Sequence, residues 1–361
     1  MPRLNTGPGR HDEASPTLNP NHPPNHVSTT MGTWTRLQSS DPQLAAELSP
    51  IIEQIEGYLQ GASPCADLWL PFPLSPQGLG ALQGLVREPH WAHTLRYHYF
   101  PRTSTFVLSM SASYEHENLE GWFCQFVERK LERLCSGDAA KESFANQIRN
   151  ERHAPIREGE IGTHHPDARF RHLQAPCPAV ILEVGYSQKS KALSELAHIY
   201  ITEGYRGTQL VVALDQDYRR SKQIMLKTWR PRVDHPPGSA LPRLSIEYHS
   251  QELRSRDGKP VPGSQVRIPV VDFAPKALIP ESLHSESIVI SSEELCHYLD
   301  EMEQSQEMMA AARRVVDHVP SEVVYLPSPA SSALDTPSDD DEVKGLEAVS
   351  ATAREEENDE D

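Results

Sequence analysis

The sequence predicts an α/β core of three layers, a mixed central sheet flanked by helices, with a disordered tail at each end. Three observations predict it. Leu119, Trp122, Phe123, Phe126, Val127, Leu131 and Leu134 recur at i, i+3, i+4 spacing, which makes one long helix face. Two short runs, AVIL at 179–182 and QLVVAL at 209–214, carry the apolar character of strands covered on both faces. Between them Leu193, Leu196, Ala197 and Tyr200 share one helical face, so the three pieces read as strand, crossover helix and parallel strand.

Composition sets the limits of this core. Residues 1–38 are expected to be a disordered tail, since the first thirty hold six prolines, four asparagines and few large apolar side chains. Residues 316–361 are expected to be an acidic disordered tail. Its last 31 residues carry twelve acids against Lys344 and Arg354, a charge of −10 out of the chain's −17. Between the tails the sequence divides into an N-terminal helix and irregular region (39–104), a core (105–275) and a C-terminal helical segment (276–315). The remaining −7 is not the basic surface of a protein that grips duplex DNA through many phosphates, although a locally basic cleft is compatible with it. Cys65, Cys124, Cys135, Cys177 and Cys296 show no zinc-like spacing and read as free thiols of a reducing compartment. No secretory segment and no 18-residue apolar run is present, so an intracellular protein without a membrane span is expected, in cytoplasm or nucleus. The pattern specifies no oligomeric state.

In chain order, Asp41-Pro42 reads as N-cap and first helical residue, with Leu44, Leu48, Ile51, Ile52, Ile55 and Leu59 at helical spacing up to Gly61. Segment 62–90, rich in Pro, Gly and Leu, reads as irregular. Residues 94–110 read as two strands around Pro101-Arg102. A helix follows over 116–135 and a second helical piece over 139–149. Residues 168–172 and 178–184 are strands, and the latter ends on Glu183. The helix of 188–203 closes at Gly204 and Gly207. Strands over 209–214, 224–229, 244–248 and 266–273 come next. Ser291-Ser292-Glu293-Glu294 caps a last helix to about residue 312.

Chemistry concentrates in HPDARFRHLQAPCPAVILEVGYSQKSKALSELAHIY, residues 165–200. A carboxylate after four apolar residues of a buried strand is costly unless paired or metal-bound. For Glu183 a salt bridge, to Lys189 or Arg169, and a metal site are equal alternatives on this evidence. Pro166-Asp167 alone is most often a turn, and Lys189 and Lys191 alone are solvated helix residues. Glu115, His116 and Glu117 fit first-turn positions favoured by the helix dipole, and His164-His165 reads as loop. If Asp167 and Glu183 lie on adjacent strands, they suit Mg²⁺, which takes one or two carboxylates and fills its other positions with water.

The order helix, PD, apolar strand ending in Glu, Lys-bearing helix, apolar strand resembles the PD-(D/E)XK nuclease superfamily over roughly residues 105–275. PDARF at 166–170, PAVILEVGYSQ at 178–188, Ala197, Tyr200, WRP at 229–231 and DFAP at 272–275 are similar to a group of fungal members. His116 at the start of the first helix, and Glu183 followed by Ser187, are similar to a bacterial branch. The resemblance implies a restriction-endonuclease-like core and a Mg²⁺- or Mn²⁺-dependent phosphodiesterase acting on DNA or RNA. It implies Asp167 and Glu183 as metal ligands and catalytic carboxylates. The superfamily's Lys, two residues after the acid, is replaced by Gly185. Lys189 on the following helix is then the expected amine, ahead of Lys191. Gln188 is expected to hydrogen-bond the water or a phosphate, and Glu117 is a candidate third carboxylate. The Gly185 departure keeps an alternative open, a catalytically degenerate nuclease-fold module that binds nucleic acid or a protein partner without cleavage.

Overall fold

Asp41 starts the first helix as its side chain accepts from the Leu44 N–H at 3.0 Å. In this computed structural model, residues 34, 37, 40–59, 69–86, 95–109, 114–159, 162–186, 189, 192–203, 207–216, 221–235 and 241–315 are described. The expected terminal tails therefore lie almost wholly outside the described residues. Helix α1 (Pro42–Leu59) buries Leu48, Ile51, Ile52 and Ile55. They pack with Leu79, Leu82 and Leu85 of α2 (Pro76–Val86) and Tyr99, Phe106 and Leu108. The irregular region expected at 62–90 is thus corrected over its described part, which holds strand β1 (Leu70–Pro73) and α2. Pro71 and Pro73 are compatible with β1 because it is an edge strand, where a missing N–H breaks no ladder.

The first sheet has the order β1-β3-β2-β6-β5, all antiparallel, with β2 (Tyr97–Phe100), β3 (Thr105–Leu108), β5 (Ile156–Glu158) and β6 (Gly162–His164). His164 is therefore on a strand, paired with His98, and not in the loop its sequence context indicated. Helix α3 (Tyr114–Cys135) matches the predicted long helix. Helix α4 (Ala139–Ala145) is capped by Asp138, whose carboxylate accepts from the Ala140 and Lys141 N–H groups. It stops short of 149 because strand β4 (Ile148–Asn150) begins there.

The second sheet has the order β11-β10-β9-β8-β7-β4. Its strands are β4, β7 (Ala168–His172), β8 (Val180–Tyr186), β9 (Leu210–Gln216), β10 (Ile224–Asp234) and β11 (Arg243–Arg254). Only β8 and β9 pair in parallel, as predicted from the crossover helix α5 (Leu193–Thr202) between them. Side chains alternate across the sheet. Val180, Leu182 and Val184 of β8 join Leu119, Phe123, Val127 and Leu131 of α3 in one core, while Ile181 joins Leu196, Ala197 and Tyr200 of α5 in another. The two helices thus cover opposite faces, and Glu183 shares the α5 face with Ile181. A mixed α/β architecture is what the structure shows, with the five-stranded sheet standing apart from the one central sheet that the sequence predicted.

Strands β12 (Gln265–Pro269) and β13 (Ser287–Ser291) form a two-stranded sheet, and helix α6 (Ser292–Val315) follows. Ile288, Ile290, Leu295, Leu299 and Met302 complete the α3 core, so the segment after 275 belongs to it. Ser305 closes the first of two compact units, and the second supplies the end of α6. No described helix is long and apolar enough to cross a membrane.

Candidate functional site

Five segments converge at one end of the second sheet. Ala168 pairs with Leu182, which places Asp167, just ahead of β7, beside Glu183 of β8. Glu183 lies within the strand and not at its end, because β8 continues to Tyr186. Lys189 stands in the turn between β8 and α5, held where the Ala192 N–H bonds its carbonyl at 2.8 Å. The first two turns of α3 contribute His116 and Glu120, and Arg96 enters from the chain just before β2.

The Lys189 ammonium is the hinge of the arrangement. It lies 2.5 Å from Asp167 Oδ2 and 2.6 Å from Glu183 Oε2, and only 6% of Lys189 is exposed. Asp167 Oδ2 also accepts from the Val184 N–H at 2.6 Å, and Glu183 Oε1 accepts from the Tyr200 hydroxyl at 2.7 Å. The other side of Asp167 faces α3. Its Oδ1 is 3.1 Å from His116 Nε2 and 3.9 Å from Arg96 Nη1, and Arg96 also lies 3.6 Å from Glu120 and 3.5 Å from Glu117. His116, Glu120 and Asp167 are all buried, and each offers a ligand atom within 4.8 Å of the others.

Burial and charge act against each other here. Burial opposes ionisation of Asp167, but Lys189, His116 and Arg96 outweigh it and hold the carboxyl well below its usual range. Burial raises Glu183 above the usual carboxylate range; Lys189 pulls it back and Asp167 pushes it up. For Lys189, burial is overcome by the two carboxylates, so the amine is more basic than a free lysine. Glu120 is pushed up to about 8 by burial and then by the Asp167 charge, with Arg96 pulling the other way. The cluster therefore shares one ammonium, Lys189, between Asp167 and Glu183, and holds a further carboxyl, Glu120, that burial and the Asp167 charge keep protonated near neutral pH.

Asp167, Glu183 and Lys189, drawn together by sequence reasoning, do meet. Of the alternatives open for Glu183, the salt bridge to Lys189 is present, whereas Arg169 pairs with Glu151 at 2.8 Å. Gln188 and Lys191 lie outside the described residues. Glu117 is half exposed and faces Arg96 rather than the three-residue donor set. Gly185 is tightly packed by two neighbouring side chains. A Cβ there would stand 3.0 Å from Asp215 Oδ1 and 3.0 Å from Leu193 Cδ1, so a lysine in that seat would press on the next strand and on α5.

Glu120, Arg96 and the Tyr200 bond to Glu183 were missed. The four-residue step from His116 to Glu120, which puts both on one helix face, was the available signal for the first. Arg96 carried no signal, because only the pairing of β2 with β6 brings it to Asp167. No protein-family model, curated protein or solved structure matches the chain.

Proposed function

We propose that this protein is a divalent-metal-dependent phosphodiesterase acting on nucleic acid, built on a three-layer restriction-endonuclease-like core of the PD-(D/E)XK type. One observation carries the proposal. A lysine from outside the usual position brings its ammonium within 2.6 Å of two carboxylates on neighbouring strands, beside a buried set of metal-type donors. A catalytic contact needs roughly 3 Å or one intervening water, and Lys189 meets that requirement despite Gly185.

The residues present fit a divalent cation, at a position shifted from the expected one. Lys189 already bridges Asp167 Oδ2 and Glu183 Oε2. The side of Asp167 facing His116 and Glu120 is the more suitable donor set, with one imidazole nitrogen and two carboxylates. An imidazole favours Mn²⁺ over the strictly oxygen-seeking Mg²⁺. Such an ion would displace the proton that burial and the Asp167 charge keep on Glu120 near neutral pH. When bound, the cation would supply Lewis-acid polarisation of a phosphoryl oxygen and acidify a water. Lys189, held protonated by its two carboxylates, cannot serve as a base. It acts as a hydrogen-bond donor and positive charge toward the oxygens that gain charge as the phosphodiester breaks. Tyr200 fixes Glu183 by its bond to Oε1, which leaves the Oε2 side turned to Lys189.

The test is cleavage of single- and double-stranded DNA and RNA by the full chain with Mn²⁺ or Mg²⁺, alongside Asp167→Ala and Glu183→Ala. Cleavage lost in both variants is the expected result, and equal cleavage in all three proteins overturns the assignment. A second reading has its own observation. The triad of Asp167, Lys189 and Glu183 is buried and its charged groups are paired with one another, as suits a nuclease-fold module that binds nucleic acid or a protein without cutting. Nucleic-acid binding without cleavage on every substrate of that panel supports this second reading.

A further inference from the structure

Strands β10 and β11 outrun the rest of the second sheet. β9 pairs with β10 only from Ile224 to Trp229, whereas β11 follows β10 as far as Asp234. From Arg230 opposite Glu247 to Asp234 opposite Arg243, the two strands form a ribbon beyond the end of β9. Its faces differ, because side chains alternate along each strand. Trp229, Pro231 and Val233 share one face with Tyr248, Ile246 and Leu244. Arg230, Arg232 and Asp234 share the other with Glu247, Ser245 and Arg243. On the apolar face Val233, Leu244 and Tyr248 are 58%, 46% and 55% exposed. With Leu241 they make up half of the large apolar side chains exposed among the described residues, so this surface is gathered on one short ribbon and not scattered singly. β11 is also the last strand of its sheet. Its C-terminal end is covered, since the Val261 N–H bonds the Leu253 carbonyl at 3.1 Å and Gln251 Nε2 bonds the Gln265 carbonyl at 2.6 Å. Residues 243–249 have no strand on their outer side among the described residues. They contain no proline, lysine or bulge of the kind that blunts natural sheet edges.

We propose that residues 243–249 of β11 pair with the same segment of a second copy of this chain, antiparallel and two-fold about Ile246. Opposite side chains of an antiparallel pair lie on one face of the sheet. Leu244 then meets Tyr248 of the second copy, twice by symmetry, and the two Ile246 side chains meet each other. The exposed apolar faces become one. On the polar face Arg243 falls diagonal to Glu247 of the second copy, an opposite-charge pair within reach of long side chains. A two-fold axis on Glu247 would instead oppose two carboxylates. The interface is isologous, as a closed dimer requires, and it joins two six-stranded sheets edge to edge. The ribbon suits a nucleic acid less well. Arg230 is bonded to Asp272 at 2.5 Å, and Arg232 to Asp234 at 3.0 Å and Glu247 at 2.8 Å, which leaves few cations for phosphates. The inference stands independently of the phosphodiesterase reading.

The experiment follows the mass of the full chain by sedimentation velocity at increasing concentration, and disulfide capture under mild oxidation in the same samples. The proteins are wild type, Leu244→Lys, Tyr248→Lys, Ile246→Cys and Ser250→Cys, all changed at positions outside the buried core. Wild type is expected to reach twice the mass of one chain. Each lysine substitution is expected to weaken association about tenfold or more, because it sets a charge in the apolar seam twice by symmetry. Ile246→Cys brings two thiols face to face at the axis, within the span of a disulfide, and is expected to form a covalent dimer. Ser250→Cys sets its two thiols roughly 27 Å apart along the paired strands. It is expected to form no more covalent dimer than the native cysteines give in wild type. A wild type that stays monomeric at every concentration overturns the inference. If that monomer binds single-stranded DNA, and Arg243→Gln binds it more weakly, the ribbon belongs to nucleic acid instead. A dimer that survives both lysine substitutions unweakened overturns the inference as well, as does capture in Ser250→Cys as complete as in Ile246→Cys.

Discussion

Lys189 shows why a single buried amine decides the behaviour of this site. Two carboxylates stand within 2.6 Å of its ammonium, and none of the three groups has more than slight exposure. Removing the amine leaves negative charge buried without its counterion, which costs about 3–5 kcal/mol in proteins where one partner of a buried pair is deleted. Lys189→Met is therefore expected to lower the stability measured by urea unfolding by that amount near pH 8. At pH 5 the loss should be smaller, because the stranded carboxylates can take up a proton and become neutral. An equal loss at both pH values would show that charge is not the cause. Tyr200→Phe removes only the bond to Glu183 and should cost about 1–3 kcal/mol, with the melting temperature as the readout. At this scale the sequence was legible where order along the chain carries the chemistry, as for Asp167, Glu183 and Lys189. Glu120 stayed hidden because an acid near a helix start is also what the helix dipole favours. Arg96 stayed hidden because it is distant in sequence.

At the scale of single elements, the long periodic pieces were the readable ones. α3 and α5 show their apolar spacing over ten or more residues, and β8 and β9 their continuous apolar runs, while α6 was readable from its cap. Strands of three to five residues, such as β5, β6 and β13, are too short for a period to show. The start of α6 is the clearest local agreement. Ser291 Oγ accepts from the Glu294 N–H at 3.2 Å, and Glu294 Oε2 accepts from the Ser291 N–H at 2.9 Å, a reciprocal capping box. Ser291→Ala should cost about 1 kcal/mol in chemical denaturation. Gly185 makes a second prediction for an element. Its missing Cβ lets Asp215 and Leu193 approach, so Gly185→Lys should destabilise by about 1–3 kcal/mol through overpacking. A thermal melt equal to wild type would mean that α5 and β9 yield easily there.

For the whole molecule, two sheets and their helices bury several titratable groups away from the cluster. Burial lowers His98 well below its usual value, with His164 and Lys189 acting in the same direction, and lowers His172 by itself. A histidine kept neutral in the native state binds its proton first in the unfolded chain. Stability is then complete above the unfolded value near 6.5 and is lost as pH falls through it. Glu120 and Glu183, whose carboxyls are raised in the folded protein, act in the opposite direction, so the histidine contribution is read as a difference: His98→Gln should lose less stability than wild type, or gain more, between pH 7.5 and pH 5.5. An identical pH dependence of the unfolding midpoint in the two proteins would contradict this. At this scale the α/β class, the parallel β8–β9 pair and the two strands β2 and β3 were legible, and the rest of the first sheet was not, since β1–β3 and β2–β6 join short segments far apart in sequence.

The cluster joins these scales, because five separate segments must fold together before Asp167 faces His116 on one side and Lys189 on the other. Cleavage of a nucleic acid by the full chain in Mn²⁺, compared with Asp167→Asn in the same assay, tests the proposed function of this cluster most directly. Metal-dependent cleavage by the wild-type chain, reduced about 10³-fold or more in Asp167→Asn, is the predicted result. Cleavage that persists unchanged in Asp167→Asn, or that proceeds equally in excess EDTA, would contradict it.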